Sequence, residues 1–149
     1  MKRLTLTAAI LVLSSAVSAQ EQTNWLSLVT MTGSKISAVH GATRIDIPTA
    51  KAMHEQGLLF VDVQGFFEWK RSHIPGALLG ASITEAELEE VADKNKEIVF
   101  YCECDTGSST CNLSPTASAR AVAWGYEKIY YFTNYNEWID AGYSTEKES

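Results

Sequence analysis

Two kinds of hydrophobic run alternate along the chain. Leu58-Leu-Phe-Val-Asp-Val63, Glu97-Ile-Val-Phe-Tyr101 and Lys128-Ile-Tyr-Tyr-Phe132 are short, nearly continuous apolar stretches rich in β-branched and aromatic residues. Strands covered on both faces have this composition. Ile45-Asp-Ile47 and Ala77-Leu-Leu-Gly80 predict two shorter strands. Between these runs the punctuation is helical. Pro48 opens a helix that runs to Gln56 and stops at Gly57, and Phe66 to Arg71 predicts a helical turn. Ser82 to Asp93 carries two overlapping capping boxes, Ser82 with Glu85 and Thr84 with Glu87. Pro115 to Trp124 is Ala-rich, with Ser114 as N-cap and Gly125 as stop, and a last helix around Glu137 to Ala141 ends at Gly142. Strands alternating with helices across short links predict an α/β domain, with a mostly parallel sheet flanked by helices on both faces. Sites in such sheets form beyond the C-terminal ends of the strands. Gln20 to Thr43 fits neither pattern, because Gly33 and Gly41 interrupt any long helix. It is expected to be a lead-in segment whose Trp25 and Leu28 dock on the domain.

The first residues change the picture of where the protein works. Lys2 and Arg3 precede an apolar run from Leu4 to Leu13, and small residues follow up to Val17-Ser18-Ala19. This three-part pattern predicts a signal peptide over residues 1–19, cleaved before Gln20. The apolar run falls short of the roughly 20 residues that span a bilayer, so no stable membrane insertion is expected after its removal. The protein is therefore expected to be exported, periplasmic or secreted, where disulfides are permitted. The net charge of −6 becomes −8 once Lys2 and Arg3 leave. An acidic chain without a basic cluster argues against nucleic-acid binding. The 130 residues that remain suit one domain of ordinary size.

All three cysteines, Cys102, Cys104 and Cys111, fall between the strand ending at Tyr101 and the helix opening at Pro115. Such a loop collects backbone N–H donors and the positive end of a helix dipole, which together stabilise a thiolate or bound anion. Cys102 closes the strand and Cys111 stands three residues before Ser114. Three thiols leave at least one unpaired within the chain. Cys102 with Cys104 is strained, because residues two apart in extended chain sit near the upper limit for a disulfide. Cys104 with Cys111 closes a short loop and leaves Cys102 as nucleophile, whereas Cys102 with Cys111 makes a reversible dithiol switch. Both remain open. A metal site lacks an evident fourth ligand beside the three thiols, and nothing in the sequence calls for a cofactor.

Leu59-Phe-Val-Asp-Val-Gln-Gly-Phe-Phe-Glu-Trp-Lys-Arg-Ser-His-Ile-Pro-Gly-Ala77 resembles the first signature of the rhodanese-like domain, through Asp62, Val63, Glu68 and His73 to Ala77. Phe100-Tyr101-Cys102 resembles the strand that delivers that family's persulfide-forming cysteine. Gly125-Tyr126 through Tyr130 and Trp138 to Tyr143 resemble its closing motifs, with Thr133-Asn134 where a Gly-Gly pair is common. The resemblance runs over residues 45–145, leaving a tail at 146–149. It implies a rhodanese fold and a sulfurtransferase that cycles through a Cys102 persulfide, with a small sulfur-donor anion or a thiol acceptor as partner. It also implies supporting roles for Asp62, Glu68, His73 and Ser114. The sequence departs from the family in Gln64, which replaces the usual Arg, and in the interval from Cys102 to Ser114, about twice the usual length. That insertion holds Glu103 and Asp105 and no cation. Acidic neighbours raise a thiol pKa and repel thiosulfate, and Arg120 stands six residues inside the helix. Phosphatase relatives need Arg where Ser108 stands.

Two other readings accompany the sulfurtransferase. One is a thiol–disulfide redox protein using Cys102 and Cys111, since Cys111-Asn-Leu-Ser114 has the Cys-x-x-Ser spacing of redox sites. The other is a non-catalytic binding domain with an unidentified protein partner. His73 is expected to hold a turn by hydrogen bonding, and the aromatic group Tyr130, Tyr131, Phe132, Tyr135 and Trp138 to lie in the core. Asn112-Leu-Ser114 fits a glycosylation sequon.

Overall fold

The computed structural model describes residues 24–104 and 112–149. Five strands form one parallel sheet in the order β3-β7-β6-β4-β5. These are β3 (Ala42–Arg44), β4 (Leu59–Asp62), β5 (Leu78–Leu79), β6 (Ile98–Tyr101) and β7 (Ile129–Phe132). The helices are α1 (Ile47–Glu55), α2 (Phe66–Arg71), α3 (Glu85–Val91), α4 (Leu113–Ala123) and α5 (Tyr135–Asp140).

The apolar runs are buried on both sides with the two-residue period of a strand. Val61, Ile98, Phe100, Ile129 and Tyr131 face one half of the core, with Leu88 of α3 and Ala119 and Ala121 of α4. Phe60, Val99, Tyr101 and Phe132 face the other, with Ile47 and Ala50 of α1 and Trp138 of α5. The α/β architecture expected from the alternation of runs is thus present. Tyr131, Phe132, Tyr135 and Trp138 lie in the core and Tyr130 packs against it.

Local differences from the sequence reading each have a physical cause. Ile45-Asp46-Ile47 is not a strand. Asp46 caps α1 by accepting the Thr49 N–H at 2.9 Å, Ile47 is buried at the first helical position, and the strand lies just before, at 42–44. The Thr84 and Glu87 box forms, and α3 starts at Glu85, so the Ser82 box is bypassed. Ser114 is not an N-cap: α4 begins at Leu113 after Asn112, and the Ser114 hydroxyl turns inward. The last helix starts at Tyr135 rather than near Glu137.

The lead-in segment holds more structure than its sequence suggests. After a single 3-10 turn, Asn24–Leu28, it forms an antiparallel hairpin of β1 (Val29–Thr32) and β2 (Lys35–Val39). The two-residue turn is made possible by Gly33, whose φ of 61° suits glycine. Ile36 and Val39 are buried in the α4 side of the core, and Trp25 and Leu28 pack against it as expected. The Asn112 amide ties this hairpin to the start of α4. Its Oδ1 accepts the Ile36 N–H at 2.8 Å and its Nδ2 donates to the Ser34 carbonyl at 2.7 Å, replacing one peptide's worth of strand pairing. The Asn112 side chain of the sequon is therefore engaged in packing.

The other end of the chain is tied down too. His73 and Glu146 pair as an isolated antiparallel bridge, His73 N to Glu146 O at 3.0 Å and Glu146 N to His73 O at 2.8 Å. Glu148 N adds a bond to the Lys70 carbonyl. The last residues form a strap across the turn between α2 and β5.

Candidate functional site

Cys102 is the first residue past β6, at the C-terminal edge of the sheet, and is completely buried. Its thiol donates to Ser114 Oγ at 3.2 Å, and the Ser114 hydroxyl donates in turn to the Phe132 carbonyl at 2.8 Å. The Thr133 carbonyl is a weaker acceptor for the same sulfur at 3.9 Å. The backbone N–H groups of Ser114 and Leu113, in the first turn of α4, act on the sulfur in the direction that lowers its pKa. The sulfur thus lies between the strand end and the first turn of α4, where the helix start favours a negatively charged sulfur. Burial opposes it and is the larger effect, with the Asp62 charge adding to it, so the Cys102 thiol is pushed above its ordinary value of 9.0. The resting group at neutral pH is the thiol.

Asp62 ends β4 beside it in the sheet and is also completely buried. Its Oδ1 accepts the Gln64 backbone N–H at 2.9 Å, and the Gln64 amide reaches Oδ2 at 3.4 Å. The Tyr101 hydroxyl accepts the Ile74 N–H at 3.0 Å and acts on the Asp62 carboxyl in the direction that lowers its pKa. Loss of water outweighs these bonds and pushes the Asp62 carboxyl up to about 6. A carboxyl raised on folding stabilises the native state fully below its unfolded value of 3.8, and that contribution is lost as pH rises through about 6. The difference is worth about 3 kcal/mol. Chemical denaturation from pH 4 to 7 should therefore show a component of stability that falls with rising pH and vanishes in Asp62→Asn. Parallel profiles for the two proteins would remove Asp62 as its source.

The remaining residues singled out from sequence divide cleanly. His73 is buried, donates from Nδ1 to the Trp69 carbonyl at 2.8 Å and stacks on the Trp69 ring at 4.3 Å. Its Nε2 faces Glu146 at 3.6 Å. It holds the turn and the strap. The Glu68 carboxylate folds back over Gly65, into the space a side chain there would take. Arg120 sits over the Trp124 ring at 5.2 Å and lines a cavity of about 250 Å³ with Val63, Leu113 and Thr116. Cys104 is half-buried two residues past Cys102. Cys111 lies outside the described residues, and with it the pairings and the catalytic role considered for that cysteine.

Contacts at this edge also involve residues that spacing alone did not single out. Glu103, half-buried, accepts from Asn136 Nδ2 at 3.2 Å and stands 4.0 Å from the Arg71 guanidinium. Arg44, at the end of β3, donates to Thr133 Oγ1 at 3.1 Å. The Tyr135 N–H caps the Cys102 carbonyl at 3.0 Å, and its hydroxyl meets Ser72 Oγ at 2.8 Å. None of these belongs to a local motif. Each depends on elements that meet only in the folded chain.

Comparison with known proteins bears on this geometry. The family model of the rhodanese-like domain matches residues 48–141. No curated protein sequence matches the chain. Among solved structures, the BH2092 protein from Bacillus halodurans aligns at 24% identity and a TM-score of 0.59, over 70% of this chain and 77% of that one. The Alr3790 protein from Anabaena sp. aligns at 20% identity and 0.58, over 70% and 92%. A rhodanese-related protein from Thermoplasma volcanium aligns at 18% identity and 0.53, over 71% and 99%. At these identities the likeness is one of fold.

Proposed function

This chain belongs to the rhodanese-like domain family, and from that premise we propose that it is a sulfurtransferase carrying sulfane sulfur as a persulfide on Cys102. The observation that carries the reading is the position of Cys102 Sγ, just past the end of β6 and 3.2 Å from the Ser114 hydroxyl in the first turn of α4. In the first step the thiolate attacks the outer sulfur of the donor. A sulfur–sulfur bond forms at Sγ, and the bond to the rest of the donor breaks, its electron pair leaving with that remainder. The terminal persulfide sulfur, now anionic, rests among N–H donors. An acceptor nucleophile takes that sulfur in the second step, and the electron pair returns to Cys102.

We further propose that Cys104 is linked to Cys111, which leaves Cys102 as the reacting thiol and disfavours the Cys102–Cys111 redox pair. Cys104 is disulfide-bonded, while Cys102 keeps a thiol hydrogen that Ser114 accepts. Export through a signal peptide over residues 1–19 completes the proposal, on the strength of the Lys2-Arg3, apolar and small-residue pattern.

Intact and peptide mass spectrometry of protein purified from an exporting host tests all three parts. The expected mature chain begins at Gln20 and gains one sulfur atom on Cys102 after incubation with a persulfide donor. The loading rate should still be rising with pH above 9, because the thiol titrates late. Uptake on another cysteine, or none, would overturn the assignment of Cys102.

A further inference from the structure

We propose that Asn112 is a positioning residue, through which the β1–β2 hairpin fixes the start of α4 against the Cys102 sulfur. The inference rests on the reading of Cys102 as the sulfur carrier. Asn112 stands at the N-cap of α4, yet its side chain makes no cap bond to its own helix. A cap asparagine ordinarily accepts an amide of its first turn. Here the side chain goes to the hairpin instead, accepting the Ile36 N–H at 2.8 Å and donating to the Ser34 carbonyl at 2.7 Å. An amide held through both its oxygen and its nitrogen has one place and one orientation. The hairpin precedes residue 48, where the rhodanese-like domain begins.

Among the described residues, the hairpin otherwise meets α4 through apolar groups. Ile36 and Val39 are buried in one cluster with Ala119 and Ala121, and just after the hairpin the Val122 side chain fills the space a side chain on Gly41 would take. Apolar burial has no direction and tolerates a small slide or turn of the helix. The sulfur is less tolerant, because the two residues that follow Asn112 are the ones that act on it. Ser114 Oγ lies 3.2 Å from Cys102 Sγ. Burial raises the Cys102 thiol, the Ser114 side chain and backbone lower it, Asp62 of β4 raises it and the Leu113 backbone lowers it. Every lowering influence thus belongs to the first turn of α4, and such contacts weaken steeply with distance and angle. A helix start released from the hairpin leaves burial and the Asp62 charge less opposed, and fewer of the sulfurs are thiolates able to attack a donor.

Comparing Asn112→Ala, Asn112→Ser and Val39→Ala with the unaltered chain separates positioning from packing. Serine caps a helix well but is too short to take both hairpin partners, so Asn112→Ser loses the tie while α4 still has a competent start. Val39 is buried in the same hairpin and has no part in the tie, and its truncation supplies a loss of stability, read by urea denaturation, to compare against. Peptide mass spectrometry follows two reactions of Cys102 between pH 7 and pH 10.5. One is alkylation by iodoacetamide, and the other is loading from 2-hydroxyethyl hydropersulfide, which gives up its outer sulfur and leaves as the thiol. In both Asn112 variants the alkylation profile is expected to move to higher pH, with loading at pH 7.5 slowed about fivefold or more and the deficit narrowing as pH rises. Val39→Ala should lose stability and keep its profile. If Asn112→Ala fails to fold, Asn112→Ser decides. An unmoved profile in Asn112→Ser, or the same shift in Val39→Ala, would overturn the positioning role while leaving the carrier intact. An unaltered chain that takes no sulfur on Cys102 would remove the carrier reading, and the alkylation profiles would still show whether Asn112 governs that thiol.

Discussion

Replacing Cys102 with serine is expected to abolish sulfur transfer, by on the order of 10³-fold or more, while leaving the fold in place. The substitution is nearly isosteric. A hydroxyl at that position can donate to Ser114 Oγ as the thiol does at 3.2 Å, so the buried group keeps a partner. What disappears is the sulfur atom proposed to hold the second sulfur. Unfolding curves should change little and persulfide formation should vanish. The comparison with Cys104→Ser is informative, because that change removes the proposed link to Cys111 and leaves the Cys102 sulfur untouched. Retained sulfur transfer in Cys102→Ser would sink the proposed mechanism. Inactivity accompanied by a collapse in stability would show that Cys102 serves packing instead.

Trp138→Ala is expected to cost about 3–5 kcal/mol of stability, a large share of what a domain of this size has. The ring is 1% exposed and is surrounded by other aromatic groups. His54 meets it edge-on at 5.6 Å, Tyr143 at 5.1 Å, and Phe60 at a tilt at 6.3 Å. Its indole N–H donates to the Ser144 carbonyl at 3.0 Å. The substitution therefore opens a cavity beneath α1 and also unhooks the start of the C-terminal strap. Urea denaturation should show the loss in free energy, and limited proteolysis should cut after residue 142 faster than in the unaltered protein. A loss under about 1 kcal/mol would mean that the neighbouring rings close over the gap.

How far the sequence carries depends on whether a residue's role is local. The runs that became β4, β6 and β7 were legible because two-sided burial demands unbroken apolar stretches, and almost nothing else produces them. Gly57, Gly125 and Gly142 stop their helices as expected, each with positive φ. Ile45-Asp46-Ile47 misled because alternation over three residues fits a strand as well as a cap flanked by two packed isoleucines. The β1–β2 hairpin was hidden for a related reason. Its strands bury only Ile36 and Val39 fully, too few positions to make a period visible. At the site, Cys102 could be placed because it ends a strand. Ser114 was found as a residue of interest but given a cap's role, since a hydroxyl beside proline at a helix start reads that way. In fact, that hydroxyl spans from sulfur to the Phe132 carbonyl. The tie from Glu103 to Asn136 crosses 33 positions and has no local signature.

The strand order has a consequence for how the chain reaches its structure. β3 pairs only with β7, Ala42 against Ile129, and the hairpin before it rests on α4. β3 can therefore enter the sheet only once the chain has been made as far as β7. Pairings this distant in sequence close slowly. During synthesis, β3 is the first strand of the parallel sheet to emerge and must wait for β7, and the Thr133 carbonyl beside Cys102 arrives with that closure.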